Sequence, residues 1–378
     1  MVVMKRHLFD PIKQDLTRKM VILTGPRQIG KTFLARQLIS EFQKPQYLNT
    51  DAVKDRQIFQ AQSWPLNTDF LVFDEIHKVK GWKASLKGIF DTRPDNQAIL
   101  VTGSVRMETF RQSGESLAGR YFHHHFYPLS VRELTDQLAP FDALNLLNRF
   151  GGFPEPFLSG SESEASRWRN QYYTDLVRED ILEFSRIHEI RSIRLLLELL
   201  RDRVGSPLSY TSLAVDLQLS PNTVRKYVEI LESLYIIFLI RPFHRNIARS
   251  LLKEPKVYFY DTGFIRGDDG IRLENTCAIS MLKHIGYLQD TKGEHASLHY
   301  LRTKEGKEVD FAICKDDRIF HLIEVKYADD TISRNLRYFS EKLPDAQAVQ
   351  LVHQLRHEQV IQNISLLSAG PWLADLSA

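Results

Sequence analysis

Apolar positions along this chain fall into short unbroken runs separated by stretches with three- and four-residue spacing. That is the pattern of buried parallel strands alternating with amphipathic helices. Met20-Val21-Ile22-Leu23-Thr24 is the first run, and Phe33-Leu34-Ala35-Arg36-Gln37-Leu38 after it has helical spacing. Residues 5–19 read as an amphipathic lead-in helix interrupted near Pro11. Gln46-Tyr47-Leu48-Asn49, Phe70-Leu71-Val72-Phe73, Ala98-Ile99-Leu100-Val101-Thr102 and residues 121–127 supply further strands. The pattern predicts an α/β fold with a parallel sheet at its N-terminal end.

Beyond residue 130 the spacing turns helical. Residues 131–150 end at a breaker, Gly151-Gly152-Phe153-Pro154-Glu155-Pro156, and a polar linker, Ser159-Gly160-Ser161-Glu162-Ser163, precedes a helix from about Glu164 to Glu183. Residues 210–217 form a short helix with Leu213, Ala214 and Leu217 on one side, and Gln218-Leu219 a turn. Ser220 then caps a helix with Pro221 at its first position. Val224, Tyr227, Val228, Leu231 and Leu234 line its inner face, leaving Asn222, Thr223, Arg225 and Lys226 outward. Strands over 235–242 and 256–260 follow, so this helix-turn-helix reads as a winged helix. The last part predicts a helix from Leu273, strands at 298–302, 308–313 and 319–326, and a helix near 334–343. The resulting division is 1–130, 131–195, 196–266 and 267–378.

Composition narrows the class. Hydrophobic content of 43% and charged content of 26% are those of a soluble globular protein. A net charge of +3 means that any nucleic-acid footprint must be local. Cys277 and Cys314 are the two cysteines, with no C-x-x-C pair to suggest zinc, which fits a reducing compartment. The N-terminus lacks a secretory apolar core, and the longest apolar run, 234–240, is far short of a membrane span. A cytoplasmic location with no membrane partner is expected.

The strongest chemical signal is Gly25-Pro26-Arg27-Gln28-Ile29-Gly30-Lys31-Thr32, set between strand and helix and followed by Phe33. This is the G-x-x-x-x-G-K-[ST] phosphate loop in its proper context. Its backbone amides and the helix start would face phosphate oxygens. Lys31 would reach the β- and γ-phosphates, and Thr32 would hold Mg²⁺. The expected ligand is a nucleoside triphosphate, ATP with Mg²⁺. About 40 residues on, Phe70-Leu71-Val72-Phe73 runs into Asp74 and Glu75, one to support Mg²⁺ and the other to act as base or positioner for an attacking water. At the end of the next strand Ser104 is the first candidate to feel the γ-phosphate and Thr102 the second, with ordinary loop chemistry the competing account. Arg120 after Gly119 is placed to act on a neighbouring subunit's nucleotide as an arginine finger. Arg93, Arg106 and Arg111 compete with it, as does a plain surface salt bridge. His123-His124-His125 alternate faces on a strand and so do not converge on one ion.

The phosphate loop, Phe73-Asp74-Glu75-Ile76-His77-Lys78, Val101-Thr102-Gly103-Ser104, and Gly119-Arg120 with Pro128-Leu129-Ser130 together resemble a prokaryotic family of AAA+-type ATPases. Its members carry a C-terminal domain of unknown function. The resemblance implies a five-stranded core in order 5-1-4-3-2. It also implies a small helical lid at Gly151-Gly152-Phe153-Pro154 and Asp180-Ile181, where a structural helical bundle is a sufficient account.

Two further readings concern the C-terminal half. Arg241, Arg245, Arg249, Lys253 and Lys256 face one acid, Glu254, a basic stripe suited to neutralising DNA phosphates, although winged helices in ATPases also pack on their own core. Asp310 with Glu324-x-Lys326 on one strand face resembles the PD-(D/E)XK nuclease pattern, and Glu274 matches that fold's extra carboxylate. Asp310 and Glu324 would hold Mg²⁺ or Mn²⁺, and Lys326 would orient the attacking water. The expected protein is therefore an oligomeric Mg²⁺-dependent ATPase acting at DNA, with a nuclease-like domain. The alternative is a slow ATPase switch that gates binding to a protein or DNA partner, its nuclease-like domain serving recognition alone. A small-molecule kinase is poorly supported, because the C-terminal half would have no role.

Overall fold

The computed structural model describes residues 5–104, 117–184, 187–244 and 253–378. The chain divides into two compact units, residues 1–127 with 233–235, and residues 128–232 with 236–378.

In the first unit α1 (Phe9–Leu16) precedes β1 (Met20–Thr24), α2 (Lys31–Ile39), β2 (Pro45–Asn49), α3 (Val53–Ala61), β3 (Phe70–Asp74), α4 (Trp82–Thr92), β4 (Ala98–Gly103) and β5 (Tyr121–His125). All five strands pair in parallel, in the order β2-β3-β4-β1-β5. This is the order that the family resemblance implies. β1, β3 and β4 are buried at every position, as central strands covered on both faces must be. Leu71, Phe73, Val101, Leu86 and Trp82 lie in one apolar cluster, so helix α4 covers one face. One expectation fails here, since α1 runs through Pro11. Pro11 stands in the first turn, where a missing N–H breaks no helical bond, and so does not interrupt the helix.

The second unit opens with α5 (Val131–Leu134), α6 (Pro140–Phe150), α7 (Pro154–Ser159), α8 (Glu162–Phe184), α9 (Ile187–Arg201), α10 (Tyr210–Leu217) and α11 (Pro221–Ser233). It continues through β6 (Ile237–Pro242), β7 (Lys256–Phe259), α12 (Asp269–Lys292), β8 (Ala296–Arg302), β9 (Glu308–Lys315), β10 (Arg318–Lys326), α13 (Arg334–Lys342), β11 (Gln347–Val352), β12 (Gln359–Ile361), β13 (Ile364–Ser368) and α14 (Ala369–Ala374). Ser220 Oγ accepts the Thr223 N–H at 3.1 Å and so caps α11, as expected.

The two strands expected after the helix-turn-helix form, and they belong to a larger sheet. β6 and β7 pair antiparallel, but β6 also pairs in parallel with β8, giving one eight-stranded sheet, β12-β13-β11-β10-β9-β8-β6-β7. Register pairs Arg241–His299 and Pro242–Tyr300 join β6 to β8 across the expected division at 266/267. Leu336 and Phe339 of α13 enter the same apolar cluster as Val309, Ala312 and Leu322 of the sheet. Among the described residues no helix is long and apolar enough to cross a membrane.

Candidate functional site

The phosphate loop lies at the carboxyl end of β1. Gln28 (φ 57°) and Gly30 (φ 99°) take the left-handed conformation that curls it. A Cβ on Gly25 would overlap the Phe126 carbonyl oxygen, so the chain needs glycine there. Gly30 precedes α2 with no side-chain cap and no acid in the first turn, leaving the helix start to an anion. Lys31 is buried and its ammonium donates to the carbonyls of Gly25 (2.9 Å) and Pro26 (2.7 Å). Ile29 is fully buried, so of the predicted loop contacts its share is backbone alone, whereas Phe33 is exposed.

Asp74, fully buried at the end of β3, gathers three hydroxyls. Thr32 Oγ1 donates to its Oδ2 at 2.8 Å, Tyr47 Oη donates to the same oxygen at 2.5 Å, and Thr102 Oγ1 donates to Oδ1. Burial, followed by the Asp74 carboxylate, holds the Tyr47 phenol well above its ordinary value, so it is a donor. A threonine hydroxyl and a carboxylate side by side form a hard oxygen donor set, which fits Mg²⁺.

Glu75 is next, with φ 56°. Thr50 Oγ1 donates to the carbonyls of Asp74 (3.1 Å) and Glu75 (2.8 Å), which fixes that turn. Ser104 Oγ donates to Glu75 Oε2 at 3.0 Å, and His77 Nδ1 lies 3.4 Å from the same oxygen. Ser104 is thus aimed at Glu75 and Thr102 at Asp74. The two candidate sensors orient the two carboxylates.

Arg120 forms a two-pronged pair with Asp91 of its own chain, at 2.7 and 2.9 Å. The Asp91 hydrogen bond raises the guanidinium above its ordinary value. Arg93 is tied to the carbonyls of Phe90 (2.6 Å) and Gln97 (3.1 Å). Arg106 and Arg111 lie outside the described residues, as do Arg245 and Arg249 and the side chains of Asp180 and Ile181. His123 bonds Thr24 Oγ1 at 2.8 Å while His124 bonds Asp15 at 2.8 Å, on opposite faces of β5.

Sequence reasoning missed Arg6. It donates to the carbonyls of Ile29 (3.1 Å) and Tyr127 (2.5 Å) and stacks 4.0 Å over Phe126, pinning the loop from beneath. Tyr47 and Thr50 were missed as well. The local spacing of these residues carries no signal, since each acts on a partner from a distant segment.

In the second unit a separate group of ionisable side chains lines the sheet around β7, β9 and β10. The expected stripe of cations is corrected at Lys256, which is 1% exposed and turned inward. Its Nζ lies 2.7 Å from Glu308 Oε1 and 3.6 Å from both Glu274 Oε1 and Asp310 Oδ1. Burial alone would lower this ammonium, but Glu274, Asp310 and Glu308 hold it above its ordinary value. Tyr258, two residues on, donates to Glu274 Oε1 at 2.7 Å. Asp310 Oδ2 accepts the Val325 N–H at 3.0 Å, and Lys326 pairs with Glu324 at 2.9 Å. Burial and then Asp310 push both Glu274 and Glu324 up to about 7. The predicted four, Glu274, Asp310, Glu324 and Lys326, therefore share one neighbourhood with Lys256 and Glu308. Among the described residues no three His, Cys, Asp or Glu side chains are disposed to hold one metal ion. The group does not fit Mg²⁺ or Mn²⁺ as it stands, because an ammonium sits among the carboxylates.

On α11, Asn222, Arg225 and Lys226 are exposed, Arg225 lying 5.0 Å over the Tyr210 ring.

Residues 17–135 match the family model of an AAA domain. Residues 142–271 and 269–369 match two domains of unknown function, DUF8612 and DUF4143. The chain is similar to an uncharacterized protein of Mycobacterium tuberculosis, 25% identical over 346 residues, covering 89% of this chain and 77% of the relative. It is similar also to one of Methanocaldococcus jannaschii, 23% identical over 366 residues, covering 87% and 80%. Among solved structures it resembles a Walker-type ATPase of Pyrococcus abyssi, with TM-score 0.45 and 14% identity, covering 72% of this chain and 96% of that one. The first unit carries an AAA-type, ATPase-like P-loop domain.

Proposed function

We propose that this chain binds ATP with Mg²⁺, hydrolyses it, and couples the cycle to DNA. The observation that carries the reading is the buried Asp74 carboxylate 2.8 Å from the Thr32 hydroxyl, with Glu75 held beside it by Ser104. Phosphoryl transfer to water asks for charge neutralisation and an aligned nucleophile. Lys31 would leave the loop carbonyls for the phosphates, Thr32 and Asp74 would hold Mg²⁺, and Glu75 would orient the attacking water. Mg²⁺ supplies charge neutralisation between the phosphates when bound. Arg120 can act on a second copy of the chain after releasing Asp91, which makes it the candidate trans residue of a homo-oligomer. DNA is the partner that the exposed Arg225 and Lys226 on α11 favour.

For the second unit, the position of Lys256 among Glu274, Glu308 and Asp310 favours the switch reading, in which the nuclease-like fold recognises and does not cut. The test is phosphate release from ATP with Mg²⁺, measured with and without single-stranded, duplex and branched DNA, Lys31→Ala being the control. Stimulation by one DNA form is expected. Turnover indifferent to every DNA would remove DNA as the effector and leave a protein partner.

A further inference from the structure

We propose that the cavity between α8 and α9 binds the phosphoryl group of a small phosphate monoester, with Arg169, Tyr173, Arg194 and Arg201 supplying the donors. The site lies wholly in the second unit and is independent of the nucleotide reading of the first.

The helical repeat builds it. Arg169, Asn170, Tyr173 and Thr174 recur at the spacing that shares one face of α8, and Arg194, Leu197, Glu198 and Arg201 do the same on α9. Those two faces and Phe264 line a cavity of about 250 Å³. Tyr173 stacks on Phe264 with ring centres 3.6 Å apart, and the Arg201 guanidinium lies 4.1 Å over the same ring. Arg194 and Asn170 are exposed, so solvent reaches the cavity from their side.

Three arginines and one carboxylate line the space. The carboxylate, Glu198, is already engaged by Arg201 at 2.9 Å and Arg266 at 2.5 Å. Arg201 uses Nε on the Phe264 carbonyl and Nη1 on Glu198, which leaves Nη2 without a hydrogen bond among the described residues. Arg169 uses Nε and Nη2 on Asp261 and Phe150, which leaves its Nη1 in the same condition. Arg194 has no ion pair among the described residues. The Tyr173 side chain is 7% exposed, and its hydroxyl makes no hydrogen bond among them. Burial, followed by Asp261, holds that phenol well above its ordinary value, so it keeps its proton to donate.

Donors on groups this buried are ordinarily satisfied. Here they stand on both helices around one cavity, so the fitting acceptor is an anion with oxygens facing several directions. A phosphoryl group has that shape, and guanidinium forks suit it. A planar carboxylate has two oxygens and would serve fewer of the donors. The remaining volume suits a small substituent on the ester.

The experiment titrates inorganic phosphate and ribose 5-phosphate into the full chain by isothermal calorimetry in EDTA. Lys31→Ala is present throughout, so that the phosphate loop contributes equally to every sample. Both probes are expected to bind, and Arg194→Ala and Tyr173→Phe should each weaken them at least about ten-fold. Arg194 is exposed, and phenylalanine keeps the ring that stacks on Phe264, so both variants should melt close to their parent. The proposal is overturned if neither probe binds, or if both variants bind them as the parent does. Binding of inorganic phosphate with the ester shut out would overturn the monoester. So would release of the ester by duplex DNA that Tyr173→Phe binds more weakly, since the donors would then serve a backbone phosphate.

Discussion

The hydroxyl of Thr32 at the start of α2 lies 2.8 Å from Oδ2 of Asp74 at the end of β3, a residue 42 positions away in the sequence. The pair joins the phosphate loop to the carboxylate strand. Thr32→Ala and Asp74→Asn should each lower ATP turnover by about 100-fold, the scale of losing one preorganised electrostatic group. Nucleotide affinity in EDTA should change little, since the lost partner is the metal. Phosphate release and titration of a fluorescent nucleotide check the two halves. An Asp74→Asn chain turning over at the natural rate would end the assignment.

Tyr47 extends this relationship. Its hydroxyl sits 2.5 Å from the same Asp74 oxygen and competes for its charge. In Tyr47→Phe the carboxylate should attract Mg²⁺ more strongly, lowering the half-saturating Mg²⁺ concentration. Turnover should fall less than about ten-fold, because one positioning bond is worth about 1 kcal/mol. A rise in the Mg²⁺ requirement would contradict this account.

Arg6 tests the loop from the other side. A buried guanidinium holding two carbonyls and an aromatic ring is worth about 2–3 kcal/mol. Arg6→Ala should therefore destabilise the first unit by about that amount in urea unfolding, and it should weaken ATP binding through a looser loop. Unchanged unfolding would show that the loop holds its curl unaided.

The sequence made the phosphate loop, the Asp74-Glu75 strand end and the parallel core readable because each is a local pattern. Thr102 and Ser104 were readable as candidates but not in their roles. Which carboxylate each one faces depends on the pairing of β3 with β4. Arg6 was not readable, since its partner Tyr127 lies 121 residues away. Lys256 was misread for a related reason. Basic residues between predicted strands look solvated until β6 joins β8 and β7 is placed over Glu274 and Glu308.

His284 on α12 supplies a pH dependence. Its Nδ1 accepts the Ser377 N–H at 3.1 Å. Burial, with Lys315 and His321 next, pushes the imidazole from 6.5 down to about 4. The unfolded chain then binds a proton that the folded chain refuses between these values. Stability from this group is present above pH 6.5 and is lost as pH falls toward 4, with a slope of at most about 1.4 kcal/mol per pH unit. His284→Gln should flatten the slope in that window while leaving the region above pH 7 nearly parallel to the natural chain. Urea titrations at stepped pH measure it, and an unchanged slope would remove His284 from the acid response.

The ion pair of Arg169 with Asp261 sets the strongest stability prediction. Asp261 is fully buried, Arg169 nearly so, and the guanidinium donates to both carboxylate oxygens (2.7 and 3.3 Å) and to the Phe150 carbonyl. A Cβ on Gly263 would displace that guanidinium from its place beside Asp261. One arginine thereby ties α8 to the end of α6 and to the turn after β7. Arg169→Ala would leave a buried carboxylate without its counter-charge, a loss of about 3–5 kcal/mol. The double variant Arg169→Met with Asp261→Asn removes the stranded charge along with its partner and should recover part of that loss. Urea unfolding of both variants decides the matter. A double variant no more stable than Arg169→Ala would mean that the Phe150 tie, and not the stranded charge, dominates.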